Sequence, residues 1–302
     1  MKVSIVIPCY NVEGYVEECL DSVYAQTYPS REVICVDNDS TDGTWRLLQR
    51  LQTERYPDLI LLQESTPGAP AARNAGLRVA TGNWIQFLDA DDLLCTDKLA
   101  HQIGLLASKP NAAFVAANYQ LRKFNSTENV AILRLVHDKF TAAFTKEAGI
   151  TSSNLWSRDH LIDIGGWSPH LKSSQEADLM FRLVLKGGDC IFDDSAKTII
   201  RERESGQISQ SDPGERWLRF VNTRVDYIQQ LKLAYPNVYQ EKKDTLLSFL
   251  LSSLLILVKH RREEALKIYE EFYHDKWVLE PRFGVSRLKA AVVRVFGLGF
   301  FG

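Results

Sequence analysis

Trp84-Ile85-Gln86-Phe87-Leu88-Asp89-Ala90-Asp91-Asp92 is an apolar run that stops abruptly in three carboxylates. Trp84 to Leu88 carry aromatic and branched side chains and no charge, as in a strand buried on both faces. Acids at the C-terminal end of such a strand fall where open α/β sheets bind their ligands. Three carboxylates within four residues repel one another unless a cation or hydrogen-bond donors compensate them. Oxygen-only donors of this kind suit a hard divalent ion, Mg²⁺ or Mn²⁺. The other reading of this stretch alone is a strand that ends in a solvated acidic turn.

The segments upstream repeat the pattern. Val3 to Ile7 predicts a strand stopped by Pro8, with Asn11 capping a helix whose apolar face is Tyr15, Val16, Cys19, Leu20 and Val23. Val33 to Val36 predicts a second strand, and it also runs into acids, Asp37-Asn38-Asp39-Ser40-Thr41-Asp42-Gly43-Thr44. A third strand is expected at Leu59 to Leu62, then a small-residue helix over Ala71 to Leu77 that closes before Gly82. Downstream, a helix should follow Asp92 to about Ser108, and Ala112 to Ala117 reads as a strand. Tyr119 to Leu135 suggests a hairpin or insertion, and Gly149 to Asn154 a polar loop. Gln175 to Lys186 predicts a helix with Leu179, Leu183 and Val184 inward, ended by Gly187-Gly188. Short strands at Cys190 to Phe192 and Lys197 to Ile200 precede a pattern that is helical from about Pro213. Strand and helix alternate at βαβ lengths, which implies an α/β fold with a mostly parallel sheet, flanking helices and a helical C-terminal extension.

With 302 residues the chain can bury a substantial core. Charged residues are 25% and hydrophobic residues 45%, a globular composition, and a net charge of -2 leaves no global field to recruit nucleic acid. Cys9, Cys19, Cys35, Cys95 and Cys190 are odd in number and lack metal-ligand spacing, which points to free thiols in a reducing, cytoplasmic compartment. The N-terminal segment lacks the long apolar core of a signal peptide. Leu246 to Val258 is too short to span a bilayer.

Four motifs follow one another at fixed order: Ile7-Pro8-Cys9-Tyr10-Asn11, Val36 to Thr44, Ala72-Arg73-Asn74-Ala75-Gly76 and Phe87 to Asp92. Ile164-Gly165-Gly166-Trp167 and Gln175-Glu176-Ala177-Asp178-Leu179-Met180-Phe181-Arg182 come after them. The ordered set resembles the inverting family 2 glycosyltransferases of the GT-A fold, over residues 1 to roughly 210. The resemblance implies a catalytic domain over 1–211, with a nucleotide-sugar half to about 117 and an acceptor half from about 118, followed by a helical region over 212–302. It implies a nucleotide-diphosphate sugar donor, a UDP-sugar in the first instance, and a saccharide or lipid-linked acceptor, as in cell-surface polysaccharide or glycolipid assembly. Pro8, Tyr10, Asp37, Asp39, Arg73 and Asp89 map to the nucleotide side, Asp91 to the Mn²⁺ or Mg²⁺ ligand and Glu176 to the general base. The family's common Asp-Asp-Gly-Ser turn is here Asp37-Asn38-Asp39-Ser40, which leaves open which of Asp37 and Asp39 faces the base. Its usual Glu-Asp pair is here Gln175-Glu176, a longer carboxylate at the base position. Where a late metal or phosphate contact is expected, the chain has Arg201-Glu202-Arg203-Glu204-Ser205 and no histidine.

The chemistry is consistent with that mapping. A metal bridging diphosphate oxygens stabilises the charge of the leaving group, and a carboxylate on the acceptor side can take the proton of the incoming hydroxyl. One base without a second nucleophilic carboxylate suggests single displacement with inversion, by a metal-dependent transferase of the hexosyltransferase type. Each residue also has a plainer reading: an Asx turn for Asp37 and Asp39, a surface helix position for Arg73, a first-turn acid for Glu176, core packing for Trp167. Two rival functions come from other classes. A haloacid-dehalogenase-type phosphatase places Asp-x-Asp in its first strand, whereas here the strand is fourth. A non-catalytic sugar-nucleotide-binding protein would not need both the Asp-x-Asp pair and Glu176. Finally, Arg282, Arg287, Lys289 and Arg294 flank Phe283, Val285, Leu288, Ala291, Val292, Val295 and Phe296. Such a segment either lies in a membrane interface, at the inner face of the membrane, or packs on the catalytic domain.

Overall fold

The computed structural model describes residues 1–123, 126–171, 173–202, 212–273, 293 and 297–301. In chain order its elements are β1 (Val3–Cys9), α1 (Val16–Tyr24), β2 (Arg31–Asp37), α2 (Thr44–Glu54), β3 (Ile60–Gln63), α3 (Ala69–Val79), β4 (Trp84–Phe87), β5 (Leu93–Leu94), α4 (Lys98–Leu105) and β6 (Ala112–Ala117). They continue with β7 (Tyr119–Arg122), β8 (Asn129–Ile132), α5 (Lys139–Thr145), β9 (Leu155–Ser157), α6 (Arg158–Asp163), α7 (Gln175–Leu185), β10 (Asp189–Asp193) and β11 (Thr198–Arg201). The long helices α8 (Pro213–Ala234), α9 (Pro236–Leu257) and α10 (Arg262–Tyr273) follow, then a 3₁₀ turn over Leu298–Phe301. Two compact units result: Met1–Ala142 with Lys146–Gly206, and Ala143–Thr145 with Gln207–Gly302. The expected domain boundary at 211 lies outside the described residues.

Among the described residues the first unit holds a seven-stranded sheet, ordered β10-β6-β9-β4-β1-β2-β3. β1 pairs in parallel with β2 and β4, β2 with β3 and β6 with β10. β9 is antiparallel to both β4 and β6 and fills the gap between them. A second sheet, β5-β11-β7-β8, includes the antiparallel hairpin of β7 and β8. Alternation divides β1 between two faces. Val3, Ile5, Ile7 and Cys9 join the cluster built with Val16, Leu20, Leu48 and Leu51, while Val6 faces α3. A Cβ on Gly76 would come within 2.3 Å of Val6 Cγ1, so only glycine lets α3 sit this close to the strand.

Three local expectations change, one of them after Asp92, where β5 precedes the expected helix. β1 does not stop at Pro8; it runs to Cys9, in register with Asp37. Leu88 N donates to Val6 O at 3.0 Å and Asn38 N to Cys9 O at 2.8 Å, so Pro8, like Val6, turns its backbone toward the β4 side. That pairing ends at Val6–Phe87, and the missing N–H therefore removes no ladder bond. Asn11 does not cap α1, which begins only at Val16. Its Oδ1 accepts from Thr41 N at 2.8 Å, and it holds the loop after β2.

The second unit is helical in its described residues. Asp212 caps α8 by accepting from Glu215 N at 2.9 Å, and Pro213 and Pro236 stand in the first turns of α8 and α9, where their missing N–H groups cost nothing. Its core includes Val221, Tyr227, Ile228, Leu250 and Leu254. No helix among the described residues is long and apolar enough to cross a membrane.

Candidate functional site

The carboxyl ends of β2 and β4 flank that of β1 and bring two acidic turns to one edge of the sheet. Asp37, at the end of β2, is 2% exposed. Its Oδ2 accepts from Ser40 N at 3.4 Å, and its buried Oδ1 has no hydrogen-bond partner among the described residues. A buried acceptor left unmet is costly, and an N–H from a bound ligand would satisfy it. Asp39 is exposed, in the left-handed region at φ 61°, so Asp37 is the inward acid of the two. Between them, Asn38 donates to Glu64 O and Thr66 O at 2.7 and 2.8 Å and accepts from Gly68 N at 2.8 Å. It docks the loop before α3 onto the strand end. Pro8 is half-buried and Tyr10 exposed on the neighbouring β1 edge.

Arg73 is buried on α3, and its Nη2 donates to Asp89 Oδ1 at 2.5 Å. The guanidinium carbon lies 4.6 Å from the centre of the Trp167 ring. Trp167 itself is 1% exposed, edge-on to Phe87 at 5.3 Å, with its backbone gripped on both sides by the Asn74 amide at 2.8 and 2.9 Å. It is core packing beneath Arg73 and offers no open face to an acceptor.

The acidic turn after β4 is clamped from two sides. Ser152 Oγ accepts from Asp89 N at 3.1 Å and donates to Asp92 Oδ2 at 2.7 Å. Arg201 N donates to Asp92 Oδ1 at 3.3 Å, and the Arg201 guanidinium donates to Asp91 O and to the Glu18 carboxylate. Burial first, and then the charges of Asp89 and Asp91, push the Asp92 carboxyl well above the usual carboxylate range. Arg73 and Arg201 are cations bonded to this carboxylate cluster among the described residues. No group of three or more His, Cys, Asp or Glu among the described residues could hold a metal unaided. Its hard oxygen donors fit a Mn²⁺ or Mg²⁺ ion that takes its remaining ligands from phosphate and water.

Glu176 stands in the first turn of α7, half-buried, and its Oε2 accepts from Thr151 N at 2.8 Å and Thr151 Oγ1 at 2.6 Å. Asp178 is differently engaged. Its Oδ2 accepts from Arg182 Nη2 at 2.6 Å, Arg182 Nε at 3.0 Å and Ser168 Oγ at 2.7 Å. Tyr119, half-buried on β7, has its phenol pushed up by burial, with the Glu176 charge contributing. One bonded network thus joins Arg73, Asp89, Asp91, Asp92, Ser152 and Arg201, and the adjacent Thr151 carries Glu176. Tyr10 and Asp39 are exposed on loops beside the edge. Sequence reasoning did not single out Thr151 and Ser152, which read as a polar loop, and it left Arg201 as no more than a phosphate contact. The available signal was four consecutive hydroxyl and amide residues, Thr151 to Asn154, between the apolar Ile150 and Leu155.

Residues 4–156 match the family model described as Glycosyl transferase family 2. The Escherichia coli UDP-Glc:alpha-D-GlcNAc-diphosphoundecaprenol beta-1,3-glucosyltransferase WfgD is 37% identical over 124 residues, 41% of this chain and 48% of that protein. The chain thus spans about half of that relative's length, and a smaller share of some others. The solved structure of S. aureus TarS 1-349 in complex with UDP-GlcNAc is similar with a TM-score of 0.64 at 16% identity, covering 95% of this chain and 97% of that one. The mannosyltransferase PcManGT from Pyrobaculum calidifontis, in complex with GDP-Man and Mn²⁺, gives 0.58 at 21% identity over 98% and 87%. These likenesses establish a GT-A fold.

Proposed function

The chain belongs to glycosyl transferase family 2, and on that footing we propose that it moves a sugar from a nucleotide-diphosphate donor, a UDP-sugar, to an acceptor hydroxyl with inversion. The observation that carries this reading is the Thr151–Ser152 step. One residue holds the Glu176 carboxylate, and the next holds Asp89 and Asp92. Base and donor-side acids are tied to one short turn, which supports their acting together on one reacting centre.

In this reading the unmet Oδ1 of Asp37 accepts from an N–H of the nucleobase. Pro8, Tyr10 and Asp39 line the nucleotide's edge, and Arg73 and Asp89 hold its ribose and phosphate side. Glu176 takes the proton of the acceptor hydroxyl as that oxygen bonds to the anomeric carbon, while the bond to the diphosphate oxygen breaks and its electron pair leaves with the diphosphate. A Mn²⁺ or Mg²⁺ ion held by Asp91 and the donor's phosphates would neutralise that charge. Asp178, occupied by Arg182 and Ser168, holds the helix in place. The acceptor is a saccharide or a lipid-linked saccharide of a cell-surface polymer or glycolipid. A diphosphoundecaprenol acceptor in the name of one relative supports the lipid-linked form. Peripheral contact with the inner face of the membrane belongs to the same reading.

The test is a panel of UDP-glucose, UDP-N-acetylglucosamine, UDP-galactose and GDP-mannose. Binding is followed by calorimetry with MnCl₂ and with EDTA, and donor hydrolysis by release of the nucleoside diphosphate. At least one donor should bind more tightly with Mn²⁺ and be hydrolysed slowly. Metal-independent binding of all four would remove the reading. Metal-dependent binding without any turnover would favour a non-catalytic sugar-nucleotide-binding protein of the same fold.

A further inference from the structure

The turn before β9 is fixed from several directions. Ser153 Oγ donates to Ala117 O at 2.8 Å, and Ile150 N donates to Ser153 Oγ at 3.0 Å. Asn154 donates to Ala148 O at 2.8 Å and accepts from Ala117 N at 3.0 Å. The carbonyl of Ser152 accepts from Gln86 Nε2 at 2.8 Å, and that of Ser153 from Gln102 Nε2 at 3.1 Å. Gly149 has φ 71°, and a Cβ there would lie 2.1 Å from Asn154 Oδ1 and 2.6 Å from Ala117 O. Thr151, Ser152, Ser153 and Asn154 are at most 5% exposed. Four polar side chains buried in a row are expensive unless every group is matched, and matched groups fix a conformation tightly. The turn is latched to β4, α4 and β6. Three of its groups reach toward the site: Thr151 N and Oγ1 to Glu176, and Ser152 Oγ to the acidic turn.

We propose that Thr151 is the positioning residue of the general base and that the Thr151–Ser152 step sets the spacing between Glu176 and the donor-side acids. The proposal rests on Glu176 being the base. α7 begins after Ser174 in the left-handed region at φ 57°, with no side-chain cap. The Thr151 N–H and hydroxyl both end on Glu176 Oε2. Two donors on one oxygen fix the plane of the carboxylate and leave Oε1 to accept the proton of an incoming hydroxyl. A carboxylate one carbon longer than aspartate has an additional rotatable bond, and this pair of bonds removes that freedom. Thr151 touches neither donor nor acceptor in this account; it acts through Glu176. Ser152 has the parallel part on the other side, through the backbone of Asp89 and the carboxylate of Asp92.

The experiment uses the full chain and the four donors named above, with kcat and KM for donor hydrolysis and UDP affinity by calorimetry with MnCl₂. Thr151→Val removes the hydroxyl, keeps the shape and keeps the backbone donor. It should lower kcat about tenfold, as loss of a hydrogen bond to a charged group does, with donor KM and UDP affinity within twofold of wild type. Thr151→Ser should restore most of kcat. In a Glu176→Gln background Thr151→Val should change kcat by less than twofold, because a residue that acts only through the base has nothing left to act on. Ser152→Ala should instead raise donor KM and weaken UDP–Mn²⁺ binding. If Glu176→Gln lowers kcat steeply and Thr151→Val does not, the positioning role is wrong and the base stands. Equal, additive losses from Thr151→Val in both backgrounds would also overturn it, since they mark a general loss of structure. If Glu176→Gln turns over like wild type, or no donor is hydrolysed by the wild type, the underlying reading fails, and the proposal falls with it.

Discussion

Glu176 and Asp178 are two residues apart on one helix, and their partners separate their roles. Asp178 is neutralised by a two-pronged contact from Arg182 and a hydroxyl from Ser168, while the hydrogen-bond donors described for Glu176 come from Thr151 alone. Glu176→Gln should therefore cost on the order of 10² to 10⁴ in rate with donor binding unchanged. Glu176→Asp, the shorter acid of the wider family, should keep part of the rate. Asp178→Asn should keep kcat within a few-fold and lower the melting temperature, because it weakens a half-buried ion pair between α7 and its own next turn. Steady-state kinetics and thermal melts of the three variants decide the assignment, and a kcat loss confined to Asp178→Asn would reverse it. Asp91→Ala should abolish Mn²⁺-dependent turnover and leave the melt of the unliganded protein nearly unchanged, since Asp91 lies in a turn outside the core cluster. Full activity of that variant, or of the wild type in excess EDTA, would sink the metal assignment. Asp37 and the acids from Asp89 to Asp92 were legible in the sequence because each follows an uncharged apolar run. Thr151 and Ser152 were not, because a hydroxyl in a loop and a hydroxyl in a buried latch look alike until the strand beside them is known.

That strand, β9, is where the element pattern failed. Leu155–Ser157 is three residues long and fully buried, too short for a period to show, and it runs antiparallel inside an otherwise parallel sheet. The parallel strands and α7 were read closely because their apolar spacing spans a full turn or more. The stretch after Asp92 was read as helix throughout, yet it first forms β5 and only then α4. α4 also brings Lys98 into the core beneath β4, with its ammonium on Gln86 Oε1 and no exposure. Burial drives the Lys98 ammonium down to about 7, partly opposed by the charge of Asp193. The unfolded chain keeps that proton to about 10.4. Between these values the unfolded state binds more protons than the folded one, so this residue makes stability rise with pH from about 7 upward. Below pH 7 the ammonium is charged in both states, and the full cost of burying it is present. Lys98→Met should flatten this rise. Its melting temperature should exceed that of wild type near pH 6.5 by several degrees, and the gap should close toward pH 9.5. A gap that is constant or widens with pH would show that Lys98 is not a buried, reluctantly charged amine.

For the chain as a whole, the order of motifs was more informative than any one of them. Four weak signals in sequence named the family, while composition alone would have allowed any α/β enzyme. The C-terminal segment is the part for which the sequence offers two readings, a membrane interface or packing within the protein. Arg282, Arg287, Lys289 and Arg294 lie outside the described residues. Val293 is 3% exposed and Leu298 0%, and the backbone there is held by Tyr269 Oη on Val293 O and by Arg262 Nη2 on Gly299 O at 3.0 Å. These apolar side chains are thus buried within their own unit, and Phe300, at 64% exposed, is the large apolar group of the described tail that remains open. Membrane contact by this segment would draw on the attraction of its basic residues to anionic lipid. With a net charge of -2 the molecule as a whole gains nothing from an anionic surface, so the attraction would be local, about 1 kcal/mol per basic residue near the lipid and falling off within a Debye length. The full chain should therefore co-sediment with vesicles rich in phosphatidylglycerol at low salt, release by about 0.5 M salt, where the Debye length is shorter than a side chain, and ignore neutral vesicles. Arg287→Glu, Lys289→Glu and Arg294→Glu together should weaken binding by about a hundredfold or more. If wild type and triple variant both stay in solution at low salt, the segment belongs to the helical unit alone.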